Sequence, residues 1–125
     1  MKKPLILVVE DDPIVRQLTT RQLAFLGFDA IAVPSGEEAI DQDHNNLGLI
    51  FMDIGLPGID GIQATLLIRE KELKERRQRV PIVALTAHAD NNRYLLAGMD
   101  DFLQKPALIA DIRRAISKWM VTQPG

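Results

Sequence analysis

The feature that most constrains the fold is a regular alternation between short apolar runs and longer stretches with helical periodicity. Five short runs rich in apolar residues are expected to be strands, at residues 5–9, 28–33, 49–52, 80–85 and 101–104. Helical patterns follow them at residues 13–27, 35–41, 62–78, 89–98 and 107–120. This alternation predicts parallel strands joined by right-handed crossovers, with helices on both faces of one sheet. We therefore predict a doubly wound α/β sandwich.

Composition limits the domain count and the classes of function. The 125 residues, 46% of them hydrophobic, suit one domain, which we assign to residues 1–121 with a tail at 122–125. The absence of cysteine excludes a disulfide scaffold and a zinc–thiolate site. A net charge of -2 lacks the basic excess of a nucleic-acid-binding protein, and the longest apolar run is too short to cross a bilayer. We expect a soluble cytoplasmic domain that binds neither nucleic acid nor membrane directly.

Polar residues at the strand ends are the candidate site, because ligands of a doubly wound sheet bind beyond the carboxyl ends of its strands. These residues are Glu10, Asp11, Asp12, Asp53, Thr86 and Lys105. Taken alone, Asp12 suits a helix cap because Pro13 follows it. Thr86 alone suits a cap or turn residue, and Lys105 alone suits a solvated charge. Their joint placement at one edge of the sheet favours a functional site.

The three carboxylates other than Asp12 indicate a cation site. Two unit charges about 4 Å apart repel by about 4 kcal/mol at an effective dielectric constant near 20. An all-oxygen set of ligands favours Mg²⁺ over zinc or copper, and a lysine and a hydroxyl beside it suit phosphoryl transfer. An aspartate can itself accept a phosphoryl group as an acyl phosphate. We predict that Asp53 is this acceptor, since it stands alone whereas Glu10 and Asp11 form a metal-binding pair.

Four sequence blocks carry these residues, and together they resemble the receiver domain of two-component response regulators. The blocks are ILVVEDDP at 6–13, FMDIGLPGIDG at 51–61, ALTA at 84–87 and AGMDDFLQKP at 97–106. The resemblance extends from Ile6 to about Trp119 and implies a flavodoxin-like, CheY-like fold with strand order 2-1-3-4-5. ALTAHA at 84–89 and AGMDDFL at 97–103 are most similar to receivers of hybrid sensor histidine kinases.

The resemblance implies a metal site and a phosphoacceptor. Asp53 would accept the phosphoryl group. Asp11, Asp53 and the carbonyl of Gly55 would coordinate Mg²⁺, and Glu10 would act through a metal-bound water.

It also implies phosphoryl contacts and a conformational switch. The Thr86 hydroxyl and the Ala87 amide would hold phosphoryl oxygens. Lys105 would pair with the phosphoryl group and would be joined to Pro106 by a cis peptide bond. Thr86 would then move toward the phosphoryl group and Phe102 would turn inward, which changes partner binding. Plain core packing is the alternative for Phe102.

The implied partner is a histidine kinase or a histidine phosphotransfer domain, and a weak or phosphorylation-dependent homodimer is compatible with the family. The resemblance places Gly55 and His88 beside the approach of water to the acyl phosphate. On the first helix we expect a core face of Val15, Leu18, Leu23 and Leu26. Ile14 and Phe25 would lie near a second edge, either as part of a wide buried stripe or as a docking patch.

Two other functions use similar residues. Haloacid-dehalogenase-like phosphatases also have a strand-end Asp, Thr, Lys and Mg²⁺, but they need a second Asp where this chain has Gly55. A degenerate receiver would bind partners without phosphorylation, and the complete set of site residues argues against it. We therefore expect no enzyme activity on external substrates, only the domain's own phosphotransfer and autodephosphorylation.

Residues 69–79 contain six basic and three acidic side chains. We interpret them as the exposed end of the third helix, with the ion pairs Glu70–Lys74 and Glu72–Arg76. A partner or nucleic-acid surface is the alternative.

Overall fold

Five parallel strands form the sheet in the computed structural model, which describes residues 4–87 and 97–120. The strands are β1 (Leu5–Val9), β2 (Ala30–Val33), β3 (Leu47–Asp53), β4 (Ile82–Thr86) and β5 (Asp101–Gln104). Their order is β2-β1-β3-β4-β5, and every neighbouring pair is parallel. This order confirms the flavodoxin-like fold that the sequence predicts.

Helices connect the strands and cover both faces of the sheet. Within residues 4–87 and 97–120 they are α1 (Pro13–Phe25), α2 (Gly36–Asp41), α3 (Gly61–Lys74) and α4 (Ile109–Trp119), and a 3-10 helix (His44–Asn46) precedes β3. Residues 89–96 of the helix predicted at 89–98 lie outside the described residues, as do His88 and the predicted tail. No helix within the described ranges is both long enough and apolar enough to cross a bilayer.

Two core layers lie on opposite faces of the sheet. On one face α2 and α3 bury Ala39, Ala64 and Ile68 against alternate strand residues such as Leu7. On the other face the buried residues of α1 and α4, including Leu23, pack against the strand residues that alternate with the first set, such as Ile6 and Val8. Because both faces of the central strands are covered, those strands consist of continuous apolar runs instead of alternating patterns.

The end of α3 differs from the prediction. The sequence predicts a helix to Gln78, whereas α3 ends at Lys74. Arg76 adopts a left-handed backbone conformation, with φ 53°, and the Arg77 N–H donates to the carbonyl of Glu72 at 2.9 Å. This is the termination that glycine usually provides, and Gly27 provides it for α1 with φ 91°. Because arginine rarely ends a helix in this way, the sequence does not indicate that α3 ends before Arg76.

The charged end of α3 forms one of the two predicted pairs. Glu70 and Lys74 lie 3.6 Å apart, as predicted. The predicted Glu72–Arg76 pair is wrong, because the helix ends before Arg76. The Glu72 carboxylate is instead buried and accepts a hydrogen bond from Arg69 at 2.8 Å.

The buried face of α1 also differs from the predicted Val15, Leu18, Leu23 and Leu26, most clearly at Leu18. Leu23 is fully buried, but Leu18 is 54% exposed and Thr19 takes the inward position. The Thr19 hydroxyl donates to the carbonyl of Val15 at 2.9 Å, which satisfies it inside the helix. The core face of α1 therefore includes a threonine, and a leucine is left at the surface.

Candidate functional site

The carboxyl ends of β1, β3, β4 and β5 form one edge of the sheet, and a cleft of about 430 Å³ lies above it. It is lined by Glu10, Asp11, Asp12, Val15, Asp53, Ile54, Gly55, Thr86, Ala87 and Lys105. All seven residues predicted to bind metal or phosphate are in this list. A larger cleft of about 970 Å³ lies at the opposite edge. We assign the site to the smaller cleft, because the one three-carboxylate cluster found among the described residues lies there.

The carboxylate cluster consists of Glu10, Asp11 and Asp53. One oxygen from each residue lies within 4.8 Å of the others. Glu10 and Asp53 are only 1% and 4% exposed, while Asp11 is exposed, so the cluster opens to solvent on the Asp11 side. These hard oxygen donors are the kind that Mg²⁺ prefers.

Lys105 makes two ion pairs with this cluster. Its Nζ lies 2.8 Å from Oδ2 of Asp53 and 3.1 Å from Oε1 of Glu10. Oε1 of Glu10 is buried, and among the described residues the Lys105 ammonium is its ion-pair partner. One ammonium does not balance three clustered carboxylates, so a bound cation with its waters would stabilise them. The cluster therefore fits the metal that the sequence predicts.

The proximity of these groups changes their protonation. Burial, together with the neighbouring Asp53 carboxylate, raises the pKa of Glu10 from its ordinary value of 4.5 to about 7. Burial lowers the pKa of Lys105, but the carboxylates of Asp53 and Glu10 outweigh this effect and leave the pKa above its ordinary value. The lysine is therefore positively charged near neutral pH, whereas Glu10 is close to its midpoint.

Asp53 is oriented by the loop that follows β3. The Gly55 N–H donates to Oδ1 of Asp53 at 2.9 Å, which leaves Oδ2 facing Lys105. Gly61, the first residue of α3, packs directly on the backbone of Asp53. A Cβ atom at Gly61 would lie 2.3 Å from the Asp53 carbonyl oxygen, so only glycine allows this approach. Sequence reasoning missed this role, although a glycine directly after the helix cap Asp60 is a usable signal.

The loop between β1 and α1 is held by Asp12 and Arg16. Oδ1 of Asp12 accepts hydrogen bonds from the N–H groups of Ile14 and Val15 at 2.8 and 3.3 Å, the capping role predicted for it. Nη1 of Arg16 donates to the carbonyl of Glu10 at 2.9 Å. No local sequence pattern indicates that the Arg16 side chain reaches back to the loop, so this contact was not predicted.

The remaining predicted residues lie at the ends of β4 and β5. Thr86 is buried at the end of β4, and Ala87 beside it is exposed. The Lys105 N–H donates to the Thr86 carbonyl at 2.7 Å, and the Lys105–Pro106 bond is cis, as the resemblance implies. Phe102 does not line the cleft. It is partly buried and packs against the core layer formed by α2 and α3.

Comparison with known proteins places this site among receiver domains. A family model described as the response regulator receiver domain matches residues 6–117. The sensor protein GacS of Pseudomonas syringae pv. syringae is 37% identical over 122 residues, which are 94% of this chain and 14% of GacS. Hybrid signal transduction histidine kinase L of Dictyostelium discoideum is 37% identical over 121 residues, 91% of this chain and 7% of the kinase. The chain thus spans a small part of these relatives.

Two solved structures are similar to this chain in both fold and sequence. The receiver domain of sensor histidine kinase PA1611 from Pseudomonas aeruginosa PAO1 has a TM-score of 0.81 and 36% identity, covering 95% of this chain and 98% of that one. A magnesium ion is coordinated in its active-site cleft. The Saccharomyces cerevisiae complex of the histidine phosphotransfer protein Ypd1 with the receiver domain of Ssk1 gives a TM-score of 0.88 at 31% identity, covering 94% and 89% of the two chains.

Proposed function

The chain belongs to the response regulator receiver domain family, and on this premise we propose that it is the phosphoacceptor module of a two-component phosphorelay. Asp53 accepts a phosphoryl group from a phosphohistidine donor with Mg²⁺, and the modified domain changes its binding to a partner. The observation that supports this most is the buried Asp53 carboxylate between two other carboxylates and the Lys105 ammonium.

The proposed transfer needs positioning more than covalent chemistry from other residues. A carboxylate oxygen of Asp53 forms a bond to phosphorus while the bond from phosphorus to the donor imidazole nitrogen breaks, and its electron pair stays on that nitrogen. Lys105 neutralises charge on the phosphoryl oxygens, and the Thr86 hydroxyl and Ala87 amide hold them. These groups act at the points where charge is concentrated during the transfer.

Mg²⁺ would be held by Asp11, Asp53 and the Gly55 carbonyl, with Glu10 acting through a water. When bound, the ion neutralises charge on the carboxylates and the phosphoryl oxygens. The donor set and the buried Glu10 oxygen support this assignment. The metal in the cleft of the similar PA1611 receiver domain supports it as well.

The proposed phosphoryl donor is a histidine phosphotransfer domain or a histidine kinase that docks on α1. Ile14 and Phe25 are 77% and 75% exposed, and together with Leu18 they form an apolar surface that extends along α1 from the cleft. We call these three residues the α1 surface. The complex of the similar Ssk1 receiver domain with a histidine phosphotransfer protein supports this class of partner. The similar sensor and hybrid kinases support a donor of the same kind.

The proposed output is a switch through Thr86 and Phe102. The two residues lie on the neighbouring strands β4 and β5, and Phe102 is in register with Ala84, two residues before Thr86. Movement of Thr86 toward the phosphoryl group would change the space beside Phe102. This coupling would carry the state of Asp53 to the surface beyond β5.

Two alternative functions, a phosphatase and a binding module that needs no phosphorylation, fit the site less well. A phosphatase needs an acid or base two residues after Asp53, and that position is held by Gly55, whose N–H already contacts Asp53. A module that binds partners without phosphorylation would need neither the buried cluster nor Lys105. The geometry favours the phosphoacceptor over both.

Incubation with acetyl phosphate and Mg²⁺, followed by intact mass measurement, tests the proposal. The parent protein should gain the mass of one phosphoryl group, and Asp53→Asn should gain nothing. Asp60→Asn is the matched control, because it removes a nearby helix-capping carboxylate outside the cluster. Sustained hydrolysis of phosphate esters would indicate the phosphatase. No adduct with acetyl phosphate or a phosphohistidine protein would indicate the binding module.

A further inference from the structure

Arg16 connects α1 to the loop that carries two of the three clustered carboxylates. It lies in the first turns of α1, and its side chain extends back toward the amino end of the helix. Nη1 donates to the carbonyl of Glu10 at 2.9 Å and lies 3.4 Å from the carbonyl of Asp11. One guanidinium nitrogen therefore contacts the backbone of two successive residues, and both residues have side chains in the cluster.

Among the described residues, the other hydrogen bonds of this loop involve its N–H groups, the Glu10 and Asp12 side chains, and the Asp12 carbonyl, which accepts the Arg16 N–H at 2.8 Å. The Glu10 N–H donates to the Val33 carbonyl at 3.1 Å, which continues the sheet by one residue. The Asp12 N–H donates to Oε2 of Glu10 at 3.1 Å, and the Asp12 side chain caps α1. Among the described residues, the Arg16 guanidinium donates side-chain hydrogen bonds to the carbonyls of Glu10 and Asp11. It thereby sets the direction in which their Cα–Cβ bonds leave the loop.

The two cations near the cluster contact different groups. Lys105 binds carboxylate oxygens of Asp53 and Glu10, so it competes with any metal that needs those oxygens. The side-chain hydrogen bonds that Arg16 makes to the same loop go to backbone oxygens. Arg16 therefore holds the backbone of Glu10 and Asp11 without occupying their carboxylates.

We propose that Arg16 is a positioning residue for Mg²⁺, which holds the Glu10–Asp11 backbone so that both carboxylates face the metal with Asp53. The inference rests on the proposed function, because it concerns the same site. Groups that orient metal ligands without touching the metal typically contribute about 10–100-fold to metal affinity. The partly exposed Arg16 should lie at the lower end, at about 10-fold.

Charge and positioning make opposite predictions for a substitution. Removing a positive charge near a cation site strengthens cation binding, because repulsion is lost. Arg16→Met should nevertheless weaken Mg²⁺ binding, since the two carbonyls lose the donor that holds them. Arg16→Lys keeps the charge and can reach one carbonyl, so it should recover part of the affinity. If Arg16 acted only through its charge, Arg16→Met would bind Mg²⁺ more tightly than the parent. If Arg16 only stabilised the fold, Arg16→Met would lower thermal stability without changing the affinity for Mg²⁺.

The test is Mg²⁺ titration by calorimetry on the metal-free protein, with thermal unfolding measured in parallel. Arg21→Met is the matched control, because Arg21 is an exposed arginine on the same helix. The dissociation constant should rise about 10-fold in Arg16→Met, less in Arg16→Lys and not in Arg21→Met. If the parent protein binds Mg²⁺ and Arg16→Met binds it equally or more tightly, the inference is overturned. A parent that did not bind Mg²⁺ would overturn the proposed function as well. If Arg16→Met does not fold, Arg16→Gln and Arg16→Lys give the same comparison.

Discussion

The Lys105 ammonium lies 2.8 Å from Oδ2 of Asp53, although their strands β5 and β3 are separated in the sheet by β4. Lys105 also contacts Glu10, so the lysine contacts two of the three carboxylates that would hold a metal. A metal bound here and the lysine would therefore compete for carboxylate charge, and neutralisation of the cluster by the metal would leave the lysine available to a phosphoryl group. This relationship gives the first prediction.

Lys105→Met should strengthen Mg²⁺ binding but slow phosphorylation. Loss of a unit charge a few ångströms from the metal is expected to tighten binding about 10-fold. Loss of a charged contact to the phosphoryl group is expected to slow the reaction with acetyl phosphate about 100-fold. Mg²⁺ titration and the rate of adduct formation measure the two effects. Weaker Mg²⁺ binding in this variant would contradict the competition between lysine and metal.

The raised pKa of Glu10 predicts a pH-dependent stability of the metal-free protein. Between pH 4.5, its ordinary pKa, and about pH 7, the folded state keeps a proton that the unfolded state has lost. This group therefore makes the protein less stable as pH rises through that window, by at most about 1.4 kcal/mol per pH unit. Glu10→Gln cannot titrate and should lack this part of the slope. Urea unfolding of both proteins with a chelator, at several pH values, measures it, and equal slopes would contradict the raised pKa.

The α1 surface predicts a defect that depends on the phosphoryl donor. Ile14→Glu places a charge on exposed apolar surface beside the cleft, so the protein should fold normally. Phosphotransfer from a phosphorylated histidine phosphotransfer domain should fall about 10-fold or more, because a charge is desolvated on docking. Phosphorylation by acetyl phosphate should not change. Leu73→Glu is the control, since Leu73 is 82% exposed on α3. An unaffected transfer in Ile14→Glu would exclude docking at this position.

The proposed switch predicts a loss of coupling in Phe102→Ala. Coupling is measured as the ratio of partner affinities between the phosphorylated and unphosphorylated protein. This ratio should approach one in Phe102→Ala, because the side chain that responds to Thr86 is absent. Phe28→Ala is the control, since Phe28 is partly buried in the opposite core layer. If the two variants keep the same ratio as the parent, Phe102 has only a packing role.

The buried Glu72 predicts a large effect on stability far from the site. Its carboxylate accepts hydrogen bonds from Arg69 at 2.8 Å and from the Val80 N–H at 2.8 Å. Glu72→Ala should cost about 1–3 kcal/mol of unfolding free energy, because it leaves the buried Val80 amide without an acceptor, while Arg69 keeps its ion pair with Asp100. Glu70→Ala removes only an exposed pair with Lys74 and should cost less than about 1 kcal/mol. Denaturant unfolding distinguishes the two, and similar costs would show that the buried network is dispensable.

The sequence by itself was sufficient for the fold class, the strand order through the family resemblance, and the residues of the cleft. The reason is that hydrophobic periodicity specifies the type and order of the elements, and parallel strands bring their carboxyl ends to one edge. Asp53 and Lys105 are 52 positions apart in the chain, yet their places at strand ends were enough to predict that they meet. The capping role of Asp12 was equally local and was confirmed.

Only the tertiary structure decided the partners of the long charged side chains and the contacts of small residues. Arg16 reaches back to the Glu10 carbonyl, and Arg69 takes the Glu72 that the sequence had assigned to Arg76. Gly61 is required because its Cα packs on the Asp53 backbone. Such contacts depend on distances between elements and on the point where a helix ends, and neither is encoded in a local pattern. The sequence therefore determined which residues form the site, while packing between elements determined how they are held.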